Sequence, residues 1–193
     1  KITSVAFKNI VKNKNIKLDL TKKIYLDKKL DWIIHIAAHH KIEDFKKNPH
    51  IKAKRNIFMT KNLIDFAKKN KIKNYVFFST IDINYKPYPL LKNIYIKSKV
   101  SCEKILLDEL NKKNLKKLVI LRLPAVVGKK SGNNFIKKML YNLKNNLRVN
   151  IYNKNAKYNN LIHINDLNKL IYYFISEKIK KNKNTIDCLS SNS

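Results

Sequence analysis

Tyr95 and Lys99 stand four residues apart in the stretch NIYIKSKVSCEKIL, Asn93 to Leu106. On a helix that spacing stacks the two side chains on one face. A phenol beside an ammonium has its anionic form favoured, so its pKa is expected to fall from ~10 toward working pH, as a general acid or base requires. Upstream, the apolar run YVFF (Tyr75 to Phe78) is followed by two hydroxyls, Ser79 and Thr80. Thr80, Tyr95 and Lys99 together suit the oxidation of an alcohol or the reduction of a ketone, with Thr80 holding the oxygen that loses or gains the proton. Taken alone, the pair also reads as an amphipathic helix that packs Tyr95, Cys102 and Leu106 inward and turns its lysines to water.

Elements that could position these groups alternate along the chain. Short apolar runs predict strands at Ile2 to Phe7, Trp32 to Ala37, Tyr75 to Ser79, Leu118 to Leu123, Val149 to Tyr152 and Thr185 to Leu189. Helical patterns lie between them, at Ile51 to Lys69, Leu90 to Lys113, Asn134 to Asn145 and Ile164 to Ile179. Such alternation predicts an α/β fold: βαβ units forming a Rossmann-like parallel sheet flanked by helices. Ligands of these sheets bind beyond the carboxyl ends of the strands, where Ser79 and Thr80 fall.

Composition limits the function classes. With 193 residues, 44% of them hydrophobic, the chain is one ordinary domain or a large piece of one, able to bury a core. Its apolar runs are far shorter than the ~20 residues that cross a bilayer, and no secretory signal is evident, so no membrane partner is expected. Cys102 and Cys188 lack metal-ligand spacing and do not form a disulfide framework, which points to a reducing, cytoplasmic setting with no metal. The formal charge of +30 would suit a polyanion, yet among 43 basic residues only Arg55, Arg122 and Arg148 are arginine. Base readout and bidentate phosphate recognition favour the arginine fork, so a nucleic-acid partner is not expected. The lysines accompany abundant Asn and Ile, a bias that A- and T-rich codons explain without a polyanionic ligand.

Five blocks, taken in order, carry a family resemblance: DWIIHIAAHH (Asp31 to His40), NIFMTKNLIDFAKKNKIKNYVFFST (Asn56 to Thr80), YIKSKVSCEKIL (Tyr95 to Leu106), LRLPAVVG (Leu121 to Gly128) and LIHINDL (Leu161 to Leu167). They resemble the extended short-chain dehydrogenase/reductase family, in its NAD-dependent epimerase/dehydratase branch, which acts largely on nucleotide sugars. The resemblance implies a Rossmann fold binding NAD or NADP, with residues 1–128 as the dinucleotide-binding domain and residues 129–193 as part of a smaller substrate region. It implies that Thr80 is the catalytic hydroxyl, Tyr95 the acid/base and Lys99 the group that also grips the nicotinamide ribose. Asp19 resembles the acidic residue that contacts the adenine, although it reads equally as a turn residue. Ala37, Ala38 and His39 match the strand end that lies along the cofactor, where small side chains permit close approach; the alanines also suit core packing. Asn56 resembles the asparagine that supports the site from the following helix. Pro124 falls where the family's chain passes the nicotinamide, or is a loop proline. His163 and Asp166 resemble a segment closing the substrate region, with Asp166 expected to cap or brace a helix. A small-molecule substrate and a homodimer through the Tyr95 helix and its predecessor are implied in the same way.

The chain also departs from that pattern. Only Gly128 and Gly132 are glycine, where about a dozen would be usual. A glycine-rich phosphate loop is absent from residues 1–30, and pyrophosphate binding needs close backbone approach there. Ile2 to Phe7 align with the second strand of the family, so a first βα unit of roughly 30 residues is expected to be missing. The chain then reads as a fragment or as a degenerate copy, and a non-catalytic dinucleotide-binding or scaffold module is the alternative function. Ile81 and Asp82 follow Thr80 where the 4,6-dehydratases of the family carry Asp then Glu, which disfavours a dehydratase. Ala125 and Asn159 stand where relatives often have sugar- and phosphate-binding residues, which makes a nucleoside diphosphate less secure than the cofactor class. The 15 residues from Thr80 to Tyr95 are few for the family, so a substrate-side loop is expected to be trimmed.

Overall fold

The computed structural model describes residues 5–6, 16–26, 29–84, 90–128, 135–150, 161–176 and 182–188. Two short parallel strands, β1 (Val5–Ala6) and β2 (Ile16–Lys17), come first. The body follows as β3 (Trp32–His35), α1 (Ile42–Lys47), α2 (Pro49–Lys69), β4 (Asn74–Thr80), a 3-10 turn (Ile81–Asn84), α3 (Leu90–Asn111) and β5 (Lys117–Leu123). Next are β6 (Ala125–Val127), α4 (Phe135–Lys144), β7 (Leu161–His163), α5 (Ile164–Ser176) and β8 (Lys183–Asp187). Strands β3, β4, β5 and β8 form one parallel sheet in that order. The Rossmann-like α/β architecture expected from the alternating pattern is thus observed.

Strands β4 and β5 are covered on both faces, which is why YVFF and LVIL are continuous apolar runs rather than alternating ones. Tyr75, Phe77, Leu118 and Ile120 point to the layer of α2 and α3, where they meet Leu63, Ala67, Cys102 and Leu106. Val76, Phe78, Val119 and Leu121 point the other way, onto Leu167 and Phe174 of α5. On α5, Leu167, Leu170, Ile171 and Phe174 follow i, i+3, i+4, i+7 spacing and supply one apolar stripe to that layer.

Helix boundaries have local causes. Pro49 starts α2 at a position where its missing N–H is no loss. The helix ends where Lys71 turns left-handed (φ 56°) and the Ile72 N–H reaches back to the Ala67 carbonyl. Helices α3 and α4 stop the same way at Lys113 (φ 60°) and Asn146 (φ 52°). The one described glycine has a steric reason. Gly128 has φ 148°, and a Cβ there would lie 2.5 Å from Ile164 Cγ2 at the start of α5.

Several expectations shift. Strand β3 ends at His35, leaving Ala37 in the loop beyond, and β8 begins at Lys183 rather than Thr185. Helix α1 and the parallel pair β6–β7 were not anticipated, because two- and three-residue ladders carry no period that a sequence pattern can show. Val149 and Asn150 lie outside any strand, and the rest of that expected strand, like Gly132 and Asn159, lies outside the described residues.

Candidate active site

The carboxyl end of β4 and the first turns of α3 build the site. Thr80 is the last residue of β4, paired in register with Leu123 of β5, and it is buried. Its hydroxyl donates to Asp82 Oδ2 at 3.1 Å and accepts the Asp82 N–H at 3.3 Å, so the 3-10 turn folds back over the strand end. Asp82 Oδ1 pairs with Lys92 Nζ at 3.0 Å. A cavity of about 220 Å³ opens here, lined by His40, Phe45, Asp82, Leu91, Lys92 and Tyr95. The Tyr95 ring leans edge-on against Phe45 of α1, with ring centroids 5.9 Å apart.

One turn further along α3, Lys99 runs into the interior. Its Nζ donates to the Phe78 carbonyl at 2.7 Å and lies 4.7 Å from the centroid of the Phe77 ring. Burial lowers its pKa to about 8, against the opposing pull of Cys102 and Glu103. The fall expected in the Tyr95 pKa is reversed. Burial pushes the phenol well up, and the Asp82 carboxylate and Cys102 add to the rise. Lys99 directs its charge at the strand end and the Phe77 ring, so at neutral pH Tyr95 holds its proton.

Asn56 ties the second strand end to the same helix. Its Oδ1 accepts the His39 N–H at 2.8 Å, while its Nδ2 donates to the His39 carbonyl at 3.0 Å and to Ser98 Oγ at 3.3 Å. Ser98 Oγ in turn donates to the Tyr95 carbonyl at 2.6 Å. A single buried side chain therefore fixes the backbone after Ala37 and Ala38 relative to α3. Among the remaining expected site residues, Asp19 is exposed and accepts both the N–H and the hydroxyl of Thr21, at 3.0 and 2.7 Å. Those two bonds hold its pKa below the usual carboxylate value, as in a turn residue. Pro124 is half-buried in the one-residue link between β5 and β6. Neither is joined to the Tyr95 cluster by a described hydrogen bond. At α5, His163 Nδ1 accepts the Asn165 N–H at 3.3 Å, and Asp166, exposed in the first turn, approaches Lys169 on the same helix at 3.8 Å.

Sequence reasoning missed the partners that hold two of its own blocks together. Arg122, on β5, forks onto Glu103 of α3, with Nη2 to Oε2 at 2.8 Å and Nε to Oε1 at 3.2 Å. Glu103 continues the Tyr95, Lys99 spacing by four, which was the available signal. Arg122 Nη1 also donates to Asn84 Oδ1 at 3.2 Å, and Asn84 Nδ2 donates to Asp187 Oδ2 at 2.8 Å on β8.

The cofactor expectation can be weighed against these residues. Small side chains at Ala37 and Ala38, the pinned His39 backbone, and a Ser79 Oγ buried without a protein hydrogen-bond partner leave a polar strand end open to a bound polar group. The described residues are thus compatible with one end of a dinucleotide. For the pyrophosphate end, residues 1–30 offer no glycine.

Comparison with known proteins bears on the family and the fold. The family model "NAD dependent epimerase/dehydratase family" matches residues 1–187. The chain is similar to a solved structure of MoeE5 in complex with UDP-glucuronic acid and NAD, with 16% identity and a TM-score of 0.78, covering 97% of this chain and 68% of that one. It is also similar to the UDP-N-acetylglucosamine 4-epimerase from Bacillus cereus, with 23% identity and a TM-score of 0.74, covering 97% and 66%. A third is the UDP-Glc/GlcNAc 4-epimerase from Campylobacter jejuni, with 20% identity and a TM-score of 0.67, covering 91% and 63%. The chain therefore spans about two thirds of the length of the structures it matches. No curated protein sequence matches.

Proposed function

Because the chain belongs to the NAD dependent epimerase/dehydratase family, we propose that it interconverts a carbinol and a ketone on a sugar nucleotide, as an epimerase or oxidoreductase. The observation that carries this reading is Tyr95 opening onto a cavity beside Asp82 at the end of β4, with Lys99 buried one turn further along α3. NAD or NADP, when bound, supplies the acceptor and donor of hydride. Tyr95 holds a proton that it gives to the substrate oxygen in reduction and takes back in oxidation. Lys99 gives one donor to the Phe78 carbonyl and would use another to hold the nicotinamide ribose, as the resemblance implies. Asn56 holds the His39 backbone, and with it the wall against which the cofactor would lie. Asp19 and Pro124 keep the cofactor contacts that the resemblance gives them. Residues 1–128 carry the cofactor side and residues 129–193 contribute to the substrate side.

We extend the reading to a homodimer through α2 and α3, which pack together. Ile51 and Phe58, seven apart on α2 and each 51% exposed, form an apolar face suited to a second copy. The alternative function is a module that binds a dinucleotide without turnover.

Tyr95→Phe distinguishes the two. In a coupled assay with NAD and UDP-glucose, loss of the phenolic proton should cut kcat by roughly 10²- to 10⁴-fold while the protein still binds NADH. Undiminished turnover in Tyr95→Phe would sink the mechanism. Wild-type protein that binds NADH yet turns over no sugar nucleotide would favour the module.

A further inference from the structure

Glu103 is a buried carboxylate with two cations to choose from. A charge taken out of water needs a partner. Lys99 stands four residues before it on α3, the spacing at which an ammonium and a carboxylate pair along one helix face. Arg122 stands across from it on β5. The structure shows the second choice: Arg122 Nη2 meets Oε2 at 2.8 Å and Nε meets Oε1 at 3.2 Å, and among the described residues no ion pair joins Glu103 to Lys99. A planar guanidinium fork matches a carboxylate better than a single ammonium does. Arg122 is itself held in place, because its Nη1 donates to Asn84 Oδ1 at 3.2 Å and approaches Asp187 Oδ1 at 3.8 Å. Lys99 reaches to the sheet instead, where Nζ donates to the Phe78 carbonyl at 2.7 Å and lies against the Phe77 ring.

We infer that Arg122 is a positioning residue: by occupying Glu103 it keeps Lys99 turned toward the carboxyl end of β4, where the proposed cofactor would lie. The consequence for the cofactor rests on the proposed function; the aim of Lys99 does not. Of the titratable groups coupled to the ammonium, Cys102 on α3 and His35 on β3 are held neutral by burial, which leaves Glu103 as the opposite charge. Without the guanidinium, Glu103 would draw Lys99 along α3 and away from the Phe78 carbonyl.

The test follows the NMR signal of the Lys99 ε-methylene against pH in the full chain, assigned by its absence from Lys99→Arg, and measures NADH affinity on the same samples. In wild type the signal should move at about pH 8, apart from exposed lysines at about pH 10.4. In Arg122→Met, pairing with Glu103 should raise that midpoint by roughly 1–2 pH units and weaken NADH binding about tenfold. Arg122→Met combined with Glu103→Gln should behave as Glu103→Gln alone, with the midpoint at or below the wild-type value and NADH affinity restored, because an amide brings no charge to Lys99. Arg122→Lys, which keeps the charge but not the fork, should shift both readings the same way by less, and it carries the comparison if Arg122→Met does not fold. A midpoint that stays in place in the Arg122 variants while only their melting temperature falls makes Arg122 a brace between α3 and β5, and the inference is overturned. A rise of equal size with and without Glu103→Gln overturns it too. A rise that depends on Glu103, in protein that never binds NADH, upholds the aiming of Lys99 and overturns the cofactor reading instead.

Discussion

His35 lies on β3 with Nδ1 3.0 Å from the Tyr75 hydroxyl and its ring 5.3 Å from that of Phe77. Burial, with the nearby Lys99 charge, lowers its pKa to about 3, and the Ala37 backbone only partly opposes this. In the unfolded chain the ring takes a proton near pH 6.5. Between pH 6.5 and 3 the unfolded state therefore binds the extra proton, and stability falls on acidification across that window. Chemical denaturation of wild type and His35→Gln should show a shallower pH dependence of the midpoint in the variant between pH 6.5 and 3; equal slopes would mean that His35 titrates normally. At this scale, the strand end at Thr80 and the placing of Tyr95 and Lys99 on one helix were legible, because the apolar run and the helical period both show in the sequence. Asp82 and Phe45 as walls of the cavity were not legible, since they reach it from a 3-10 turn and a six-residue helix whose courses only the tertiary fold decides. The direction of the Tyr95 pKa was misread for the same reason: spacing put an ammonium nearby, whereas burial and Asp82 outweigh it.

Helix ends show what a glycine-poor sequence must do instead. Lys71 and Lys113 close α2 and α3 in the left-handed region, at φ 56° and 60°, where a Cβ crowds the following carbonyl by roughly 1–2 kcal/mol. After allowing for the greater freedom of glycine in the unfolded chain, Lys71→Gly and Lys113→Gly should each stabilise by about 1 kcal/mol. Thermal melts should show an increase for each and near additivity for both; a decrease would mean that the lysine side chains contribute more than their backbones lose. The long helices were legible from period, and α3 runs over Leu90–Asn111 where Leu90 to Lys113 was expected. Their last turns were less so, because the usual glycine marker is replaced by lysine. The start of α2 was read two residues late, at Ile51, although Pro49 marks it by its fixed φ.

Across the whole molecule, each neighbouring strand pair of the main sheet is parallel and joined through a helical connection, so His40, Asp82 and Tyr95 line one cavity only when β3, β4 and α3 are all in place. The parallel βαβ alternation was legible from the patterns alone; the strand order, with β8 beside β5, was not, since a strand reading KNTID carries little apolar signal. Strand β8 rests on β5 through backbone pairing from Lys183 to Asp187 and through the cluster of Arg122, Asn84 and Asp187. No residue of β8 is fully buried, while β4 and β5 hold the centre of both cores. The two regions should accordingly differ in how readily they open to solvent. In amide hydrogen exchange, β8 should lose protection well before β4 and β5. Asp187→Ala, which removes the 2.8 Å bond from Asn84 and the 3.8 Å approach of Arg122, should speed exchange in β8 a few-fold and leave β4 unchanged. If all strands accelerate together, β8 opens only with the whole sheet. If β8 opens alone, Asn84 lets go of it at the far end of the 3-10 turn that carries Asp82, and transient fraying at the sheet edge becomes a way to loosen the wall of the cavity without unfolding the protein.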